Sequence, residues 1–495
     1  MSKIYSLTHA RPPTEVTELP TFLRFLADHR WLMLCGLASE CFYAFYLVRQ
    51  FPLVHHEQEL VDMGYLNGYS HTGFLTFWMC FSFLFALFLL AWHEASRRQS
   101  RATLWLVMGF GSLFALTNVF VYPMNAIDIY GYIAESVELV YYHANPLVTA
   151  ASQYASDPLI HVAGSFVSIP APYGPLGIVI DAIPTFFAGH SPLANMLLLK
   201  SLFAGCLLIE AYLLYRILVR FRPELAAAGA LALAWNPYVL LEAVVNSHND
   251  IVMMLFILLA VYAAIEDRHA LAFLCVLLSA FIKYSSLPLI PLFLVYALTY
   301  QTTMAQRLAY LLRIGITTIV IVSTLLLPFW TGAQTLASVL SLSQYRLYSF
   351  SMLLSDLMSL SIGQSQAVGY ILFSGCYLYA LWQVIRRQCN LFFACFLTMF
   401  ALLAFAVNYV QVWYLLCPCM LALLMPRLRM YGVVVLLSYA ATIGELVHAY
   451  IWPWGAYQNA STYALVNSIV YLGLFWPSLM LLVLYKLNDI ALKLK

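Results

Sequence analysis

The chain is 495 residues long, 63% hydrophobic and only 9% charged, with a formal net charge of +2. A soluble domain carries about a quarter charged residues, so this composition excludes a soluble globular protein, and so small a net charge gives no footprint for nucleic acid. Apolar runs of about 20 residues, the length a helix needs to cross a bilayer, recur from Trp31 onward. The expected fold is all-α: a polytopic transmembrane helical protein with about fourteen spans.

The first thirty residues, which include LTHARPPTEVTELP, contain no apolar core of the kind a signal peptide has. No cleavable leader is expected, and Trp31 to Val48 reads as a retained first span. Lys and Arg then collect in alternate loops: Arg97, Arg98 and Arg101; Arg216, Arg220 and Arg222; Arg268; Arg307 and Arg313; Arg386 and Arg387; Arg427 and Arg429; and Lys486, Lys493 and Lys495 at the end. The positive-inside rule places these loops and both termini in the cytoplasm. Met124 to Leu199 contains no Lys or Arg and is therefore expected outside.

That long loop opens with AIDIYGYIAES, residues 126 to 136. Helical spacing over 128 to 142 puts Asp128, Tyr132, Glu135 and Tyr142 on one face and Ile129, Ile133, Val137 and Val140 on another. This predicts an interfacial helix with its acids toward water or a cavity, although Asp128 is equally placed to cap the helix. PLGIVIDAIPTFFAG, residues 175 to 189, is short and holds Asp181 and Pro184. Counted as a span it would carry the Arg-rich RILVRFRPE outside, so it reads as a second interfacial helix.

Farther on, NPYVLLEAVVNSHND (236 to 250) brings Glu242, His248, Asn249 and Asp250 to the outer ends of two spans; Asn249 and Asp250 also suit a helix N-terminus. FIKYSSLPLIPL (281 to 292) sets Lys283 in an apolar context beside a break made by Ser285, Ser286 and Pro288. A lysine there faces a cavity or a partner, or snorkels to the surface. Lys200 lies just inside the outer end of another span, and Arg346, with Arg49, is one of two basic residues expected at the outer loops. VQVWYLL (410 to 416) adds Gln411, Trp413 and Tyr414, while Trp452 and Trp454 of YIWPWGAYQ suit an interfacial aromatic belt. The ten cysteines, Cys389 among them, fall in spans or on the cytoplasmic side, where no disulfide is expected.

An acid at an outer mouth, isolated cations at similar depth and aromatic walls suit sugar transfer from a lipid-linked phosphate. The acceptor hydroxyl needs a general base, and the departing phosphate needs a cation in a partly desolvated site. The order of Asp128 with Tyr130 and Tyr132, NPL at 145 to 147, PYGPLG at 172 to 177, NPYVLLE, HND at 248 to 250, KY at 283 to 284 and QVWY at 411 to 414 resembles the GT-C superfamily of polytopic glycosyltransferases. It is most similar to the polyprenol-phosphate-mannose-dependent alpha-mannosyltransferases, over residues 102 to 425. The resemblance implies Asp128 as base, interfacial helices at 128 to 142 and 173 to 189, and a basic residue near the lipid phosphate on the span after the loop, here Lys200. QVWY stands where Gln-Pro-Trp-Tyr is more familiar.

The mechanism expected is a single displacement, with inversion, of a sugar (mannose by resemblance) from a polyprenyl-phosphate donor to a hydroxyl of a glycan or lipid-linked acceptor. Lys200, Lys283 or Arg346 would hold the donor phosphate; Tyr130, Tyr132, Glu135, Tyr173, His248, Asn249, Asp250, Gln411, Trp413 and Tyr414 would bind sugar or acceptor. No metal, nucleotide or other cofactor is expected, and the sequence has no phosphate-binding glycine loop. The expected domains are 1–101, the N-terminus with two additional spans; 102–425, the catalytic core with outer loop 124–192; and 426–495, the last spans and tail. The expected place is the plasma (inner) membrane, with the site extracytoplasmic. A transporter or flippase is the rival reading, though a solute path built on inverted repeats would show paired broken helices.

Overall fold

The computed structural model describes residues 21–125, 127–342, 344–387, 391–425, 428–456 and 459–493. The first twenty residues, Cys389, Arg427 and Lys495 lie outside them. In lipid, with no water to bond backbone N–H and C=O groups, an open chain satisfies them by forming helices, and among the described residues there are helices and isolated bridges but no strand.

In chain order the main helices are α1 (Asp28–Gln50), α2 (His71–Arg97) and α3 (Arg101–Val119), then α4 (Asp128–Tyr141), α5 (Pro158–Ala163) and α6 (Pro175–Ala188); the short helices Met63–Leu66 and Ala337–Leu342 lie in loops. There follow α7 (Pro192–Phe221) and α8, a pair of segments, Pro223–Ala234 and Pro237–Val245, bent by 44°. Next come α9 (Asp250–Ile265), α10 (His269–Ile282), α11 (Tyr284–Thr299), α12 (Met304–Phe329) and α13 (Phe350–Met358). The last are α14 (Ile362–Ile385), α15 (Leu391–Ala406), α16 (Val412–Leu423), α17 (Met430–Gly455) and α18 (Ser461–Val483).

Eight of these, α1, α2, α3, α7, α12, α14, α17 and α18, are long and apolar enough to cross a membrane, and the bent α8 makes nine. The chain is thus an all-α polytopic membrane protein. A total of about fourteen spans requires α9, α10, α11, α15 and α16 to cross as well, and that number stays an expectation.

The second and third spans are knitted into the rest. Trp78 on α2 donates to the Tyr439 hydroxyl of α17 at 3.1 Å, and Trp92 packs its ring 5.0 Å from Tyr431. On α3, the Val107 carbonyl accepts from the Trp235 indole at 2.8 Å.

Three chain breaks occur at the end of the bundle that carries α4 and α6. One is the 246–249 loop, where Ser247 takes a left-handed φ of 61°. The second is Lys283, extended between α10 and α11. The third is the stretch from Val407 to Gln411, which leaves a π-helical turn and pairs with Leu347. PYGPLG docks α6 on the second break: Gly174 N–H donates to the Ile282 carbonyl at 3.0 Å. A Cβ on Gly174 would stand 2.0 Å from the Phe281 carbonyl oxygen, and one on Gly177 would stand 2.9 Å from that of Ile282. Such approaches require glycine.

Two expectations are revised here. Of the two surroundings expected for the acids of α4, water or a cavity, open water is set aside: residues 128 to 138 are buried on both faces, beneath α6 and the α5 region. Trp452 is buried, and its indole donates to the Tyr348 hydroxyl at 3.0 Å; Trp454 donates to the Tyr69 carbonyl and packs on His71. Both tryptophans join the helices to loops, and Trp452 is core rather than part of a surface belt.

Candidate active site

The segment after α3 is tied down before it turns into α4. Asn246 Oδ1 accepts from the backbone N–H of Met124 at 3.0 Å and of Asn125 at 3.5 Å. Ile127 is the residue flanking the helix start, without a side-chain cap, and Asp128 is the first helical residue. Asp128 therefore leaves its capping alternative aside and turns its carboxylate to His248, with Oδ2 3.5 Å from Nδ1. Its side chain is 12% exposed, while that of His248 is fully buried.

His248 is fixed on three sides. Its ring stacks on Trp413, with centroids 4.0 Å apart and planes 13° apart, and its Nε2 lies 3.3 Å from Glu242 Oε2. Burial alone would depress its proton affinity, but Asp128 and Glu242 on either side outweigh that and raise its pKa above the ordinary value. Glu242 belongs to a π-helical turn, Leu241–Val245, and such turns often occur at functional sites. Asn246 Nδ2 donates to Glu242 Oε2 at 3.0 Å.

The other half of the site centres on Lys283. Its ammonium donates to Asp250 Oδ2 at 2.5 Å and lies 4.6 Å from the Tyr414 ring centroid and 6.0 Å from that of Tyr173. Asp250 opens α9, where the helix dipole favours a negative charge. Asn249 Nδ2 donates to Asp181 Oδ2 at 3.4 Å. Tyr132 meets Tyr173 edge to face, 5.1 Å between centroids. The two halves adjoin: burial, then the nearby charge of Asp128, raise the Tyr173 phenol well above its usual range.

The remaining acids are held toward neutrality. Burial pushes Asp181 up to about 8 against the opposing effects of Asn249 and Lys283. Burial, followed by the charges of Asp181, Glu138 and Asp128, raises Glu135 well above the carboxylate range. Asp181 Oδ1, Asn249 Oδ1 and Trp413 Nε1 are buried without a hydrogen-bond partner among the described residues. Buried polar atoms are seldom left so, and these border the same site.

Not every expected residue joins this group. Tyr130 directs its hydroxyl to the Glu59 carbonyl at 2.7 Å, anchoring the loop after α1. Lys200 is fully buried and donates to the Val245 carbonyl at the end of the π-helical turn. Arg346 is exposed and precedes Leu347, which pairs with Asn408 and Val410; it rides beside the third break. Gln411 is buried at the start of the Val412–Leu415 turn.

Sequence reasoning left three polar neighbours unassigned. Asn125 Nδ2 donates to Glu445 Oε2, and Asn246 links that segment to Glu242. Glu445, buried inside the apolar run of α17, carried a readable signal, since an ionisable residue within a span has functional weight by default. No group of three His, Cys, Asp or Glu side chains among the described residues is spaced to hold a metal ion. A surface cleft of 590 Å³ lined by Arg268, His269, Tyr310 and Arg313 lies at the other end of α10 and belongs to the Arg-bearing loops.

Comparison with known proteins gives a family match. No curated protein matches the chain. A family model described as the N-terminal domain of alpha-(1->6)-mannopyranosyltransferases matches residues 31–299. The match starts within α1, runs through Asp128, Glu242, His248 and Lys283, and stops before the third break and before Trp413, which follows that break. Because it takes in more than half of the chain, this membrane protein belongs to the alpha-(1->6)-mannopyranosyltransferase family.

Proposed function

We propose that the protein transfers mannose from a polyprenyl-phosphate donor to a hydroxyl of a glycan or lipid-linked acceptor, by a single inverting displacement on the extracytoplasmic face of the plasma membrane. The observation that carries this reading is that one end of the helices holds both a slightly exposed carboxylate, Asp128, set against His248, and an aromatic-walled ammonium, Lys283, set against Asp250. Asp128 takes the proton of the attacking hydroxyl. Lys283 has three N–H donors and one is engaged by Asp250; the others can meet the phosphate as it gathers charge.

Around that axis, Trp413, Tyr132, Tyr173 and Tyr414 offer faces to the sugar. Asn249, Asp250, Gln411 and the buried Glu135 and Asp181 offer partners for its hydroxyls. Lys200 and Tyr130 serve by holding the π-helical turn and the loop after α1, and Arg346, exposed beside the third break, is a further candidate for the lipid phosphate. A lipid-borne donor accounts for a site at the end of membrane helices, and no metal enters the proposed chemistry.

The test is turnover of the purified protein with a polyprenyl-phosphate mannose. Asp128→Asn is expected to lower kcat by about 10²- to 10⁴-fold, the usual weight of a general base, with turnover insensitive to chelator. Full activity in Asp128→Asn removes the base, and complete loss in chelator overturns the metal-free chemistry. Net movement of the lipid across sealed vesicles without a new glycosidic bond would instead establish the transporter reading.

A further inference from the structure

We propose that His248 and a buried carboxyl pair, Glu242 with Glu445, extend the base into a proton relay in which the pair is the resting place for the displaced proton. This rests on the reading of Asp128 as base. Three observations carry it. His248 lies between two carboxylates, 3.5 Å from Asp128 Oδ2 and 3.3 Å from Glu242 Oε2. The Glu445 carboxyl, from α17, lies against that of Glu242, and both residues are buried. Oε1 of each acid lacks a hydrogen-bond donor among the described residues.

Two carboxyls in contact away from water do not both hold a negative charge; they share a proton. In the resting site of this relay Asp128 is anionic, His248 is an imidazolium set between its two acidic neighbours, and the pair carries one proton and one charge. When the acceptor oxygen bonds to the anomeric carbon, the bond from that carbon to the phosphate oxygen breaks and its electron pair leaves with the phosphate. The hydroxyl proton passes to Asp128. A fully buried imidazolium would then face a neutral acid, an arrangement that low polarity penalises. His248 accordingly gives its Nε2 proton to Glu242. Asp128, His248 and the pair are now all neutral, and one proton has entered the group.

The return path follows from exposure. Asp128 is 12% exposed, whereas His248 and Glu242 have no exposed side-chain surface. Asp128 loses its proton to water as product leaves, and His248 recovers its own from Glu242. Asn246 and Asn125 hold the geometry, the first on Glu242 and the second on Glu445. The other charges nearby are Asp250 on α9 and its partner Lys283, which offset each other. Glu242, His248 and Glu445 act through Asp128 and are positioning residues.

The experiment is a kcat–pH profile of the full-length protein in lipid nanodiscs, with polyprenyl-phosphate mannose as donor. Glu242→Gln is expected to lower kcat about 10- to 100-fold, within the usual range for proton transfer, while donor KM stays within about twofold. The basic limb of the profile should move to lower pH, because one of the two carboxylates that keep His248 protonated is gone. Glu445→Gln should lower kcat with the limb displaced the opposite way, since Glu242 then stands alone with a full charge. Glu242→Asp should recover part of both effects.

A Glu242→Gln enzyme within about threefold of wild-type kcat overturns the relay, as does a fall in kcat with the basic limb unmoved, which marks a structural role. If that variant does not fold, the limb displacement in Glu445→Gln decides on the same criterion. An active Asp128→Asn enzyme sinks the base itself. An inactive Asp128→Asn beside an unimpaired Glu242→Gln sinks the relay alone.

Discussion

Glu138 is fully buried on α4, and neither of its carboxylate oxygens has a hydrogen-bond partner among the described residues. Burial pushes its pKa up to about 8. The folded chain therefore holds this proton over a pH range in which the unfolded chain, with an ordinary carboxyl near 4.3, has released it. Stability owed to that proton is complete below the unfolded value and is lost as pH rises through about 8. Glu138→Gln removes the dependence. In detergent, its melting temperature is expected to exceed that of wild type by a margin that widens from about pH 5 to about pH 9; an equal margin at both ends would refute the assignment.

The same scale shows what single residues disclose before a structure exists. Asp128, His248, Asp250 and Lys283 were legible because a charged or titratable group in so apolar a chain needs a partner or a purpose. Asn125 and Asn246 were not, since a loop amide is ordinary until its partners are known, and here they lie on distant segments. Lys200 shows the reverse: its charge makes it a candidate in the sequence, and its partner in the fold is a backbone carbonyl.

At the scale of elements, the site depends on where helices stop. Leu241–Val245 takes a π-helical turn, Ser247 reverses the chain, and Lys283 interrupts α10 and α11. Each break spends its side chains on the site instead of on lipid. Breaks near Pro and Ser are visible in sequence, as at FIKYSSLP, whereas a π-helical turn leaves no composition signal. The extent of α4 was readable from its spacing, but its burial on both faces was not, because that depends on a cover supplied by α6. Gly174 is where that cover is fastened. Gly174→Ala would drive a Cβ to 2.0 Å from the Phe281 carbonyl oxygen, a backbone atom that cannot swing aside. The variant is expected to lose both thermal stability and transfer activity, while Gly205→Ala, with nothing within 4 Å, leaves both unchanged. Wild-type activity in Gly174→Ala would show that α6 docks otherwise.

On the scale of the whole molecule, most of the loop arginines lie at the end opposite the buried acids of the site. Arg220 pairs with Glu266, Arg216 reaches Tyr262, and Arg387 lies over Tyr300, which gathers the ends of α7, α9, α11 and α14 at one place. His269 begins α10 there, and Lys283 follows its far end in the site with Asp250 and Tyr173. A protein inserted by the positive-inside rule keeps the arginine end in the cytoplasm, so the expected orientation puts Asp128 outside, where a lipid-linked donor on the outer leaflet can reach it. Two exposed arginines test this directly, Arg313 on α12 and Arg346 beside the third break. In a cysteine-free background, Arg346→Cys in intact cells should react with a membrane-impermeant thiol reagent, and Arg313→Cys should react only after permeabilisation. The opposite pattern would place the site in the cytoplasm, and labelling of both from one side would mean that the number of crossings between α12 and the third break differs from the single one assumed for α12.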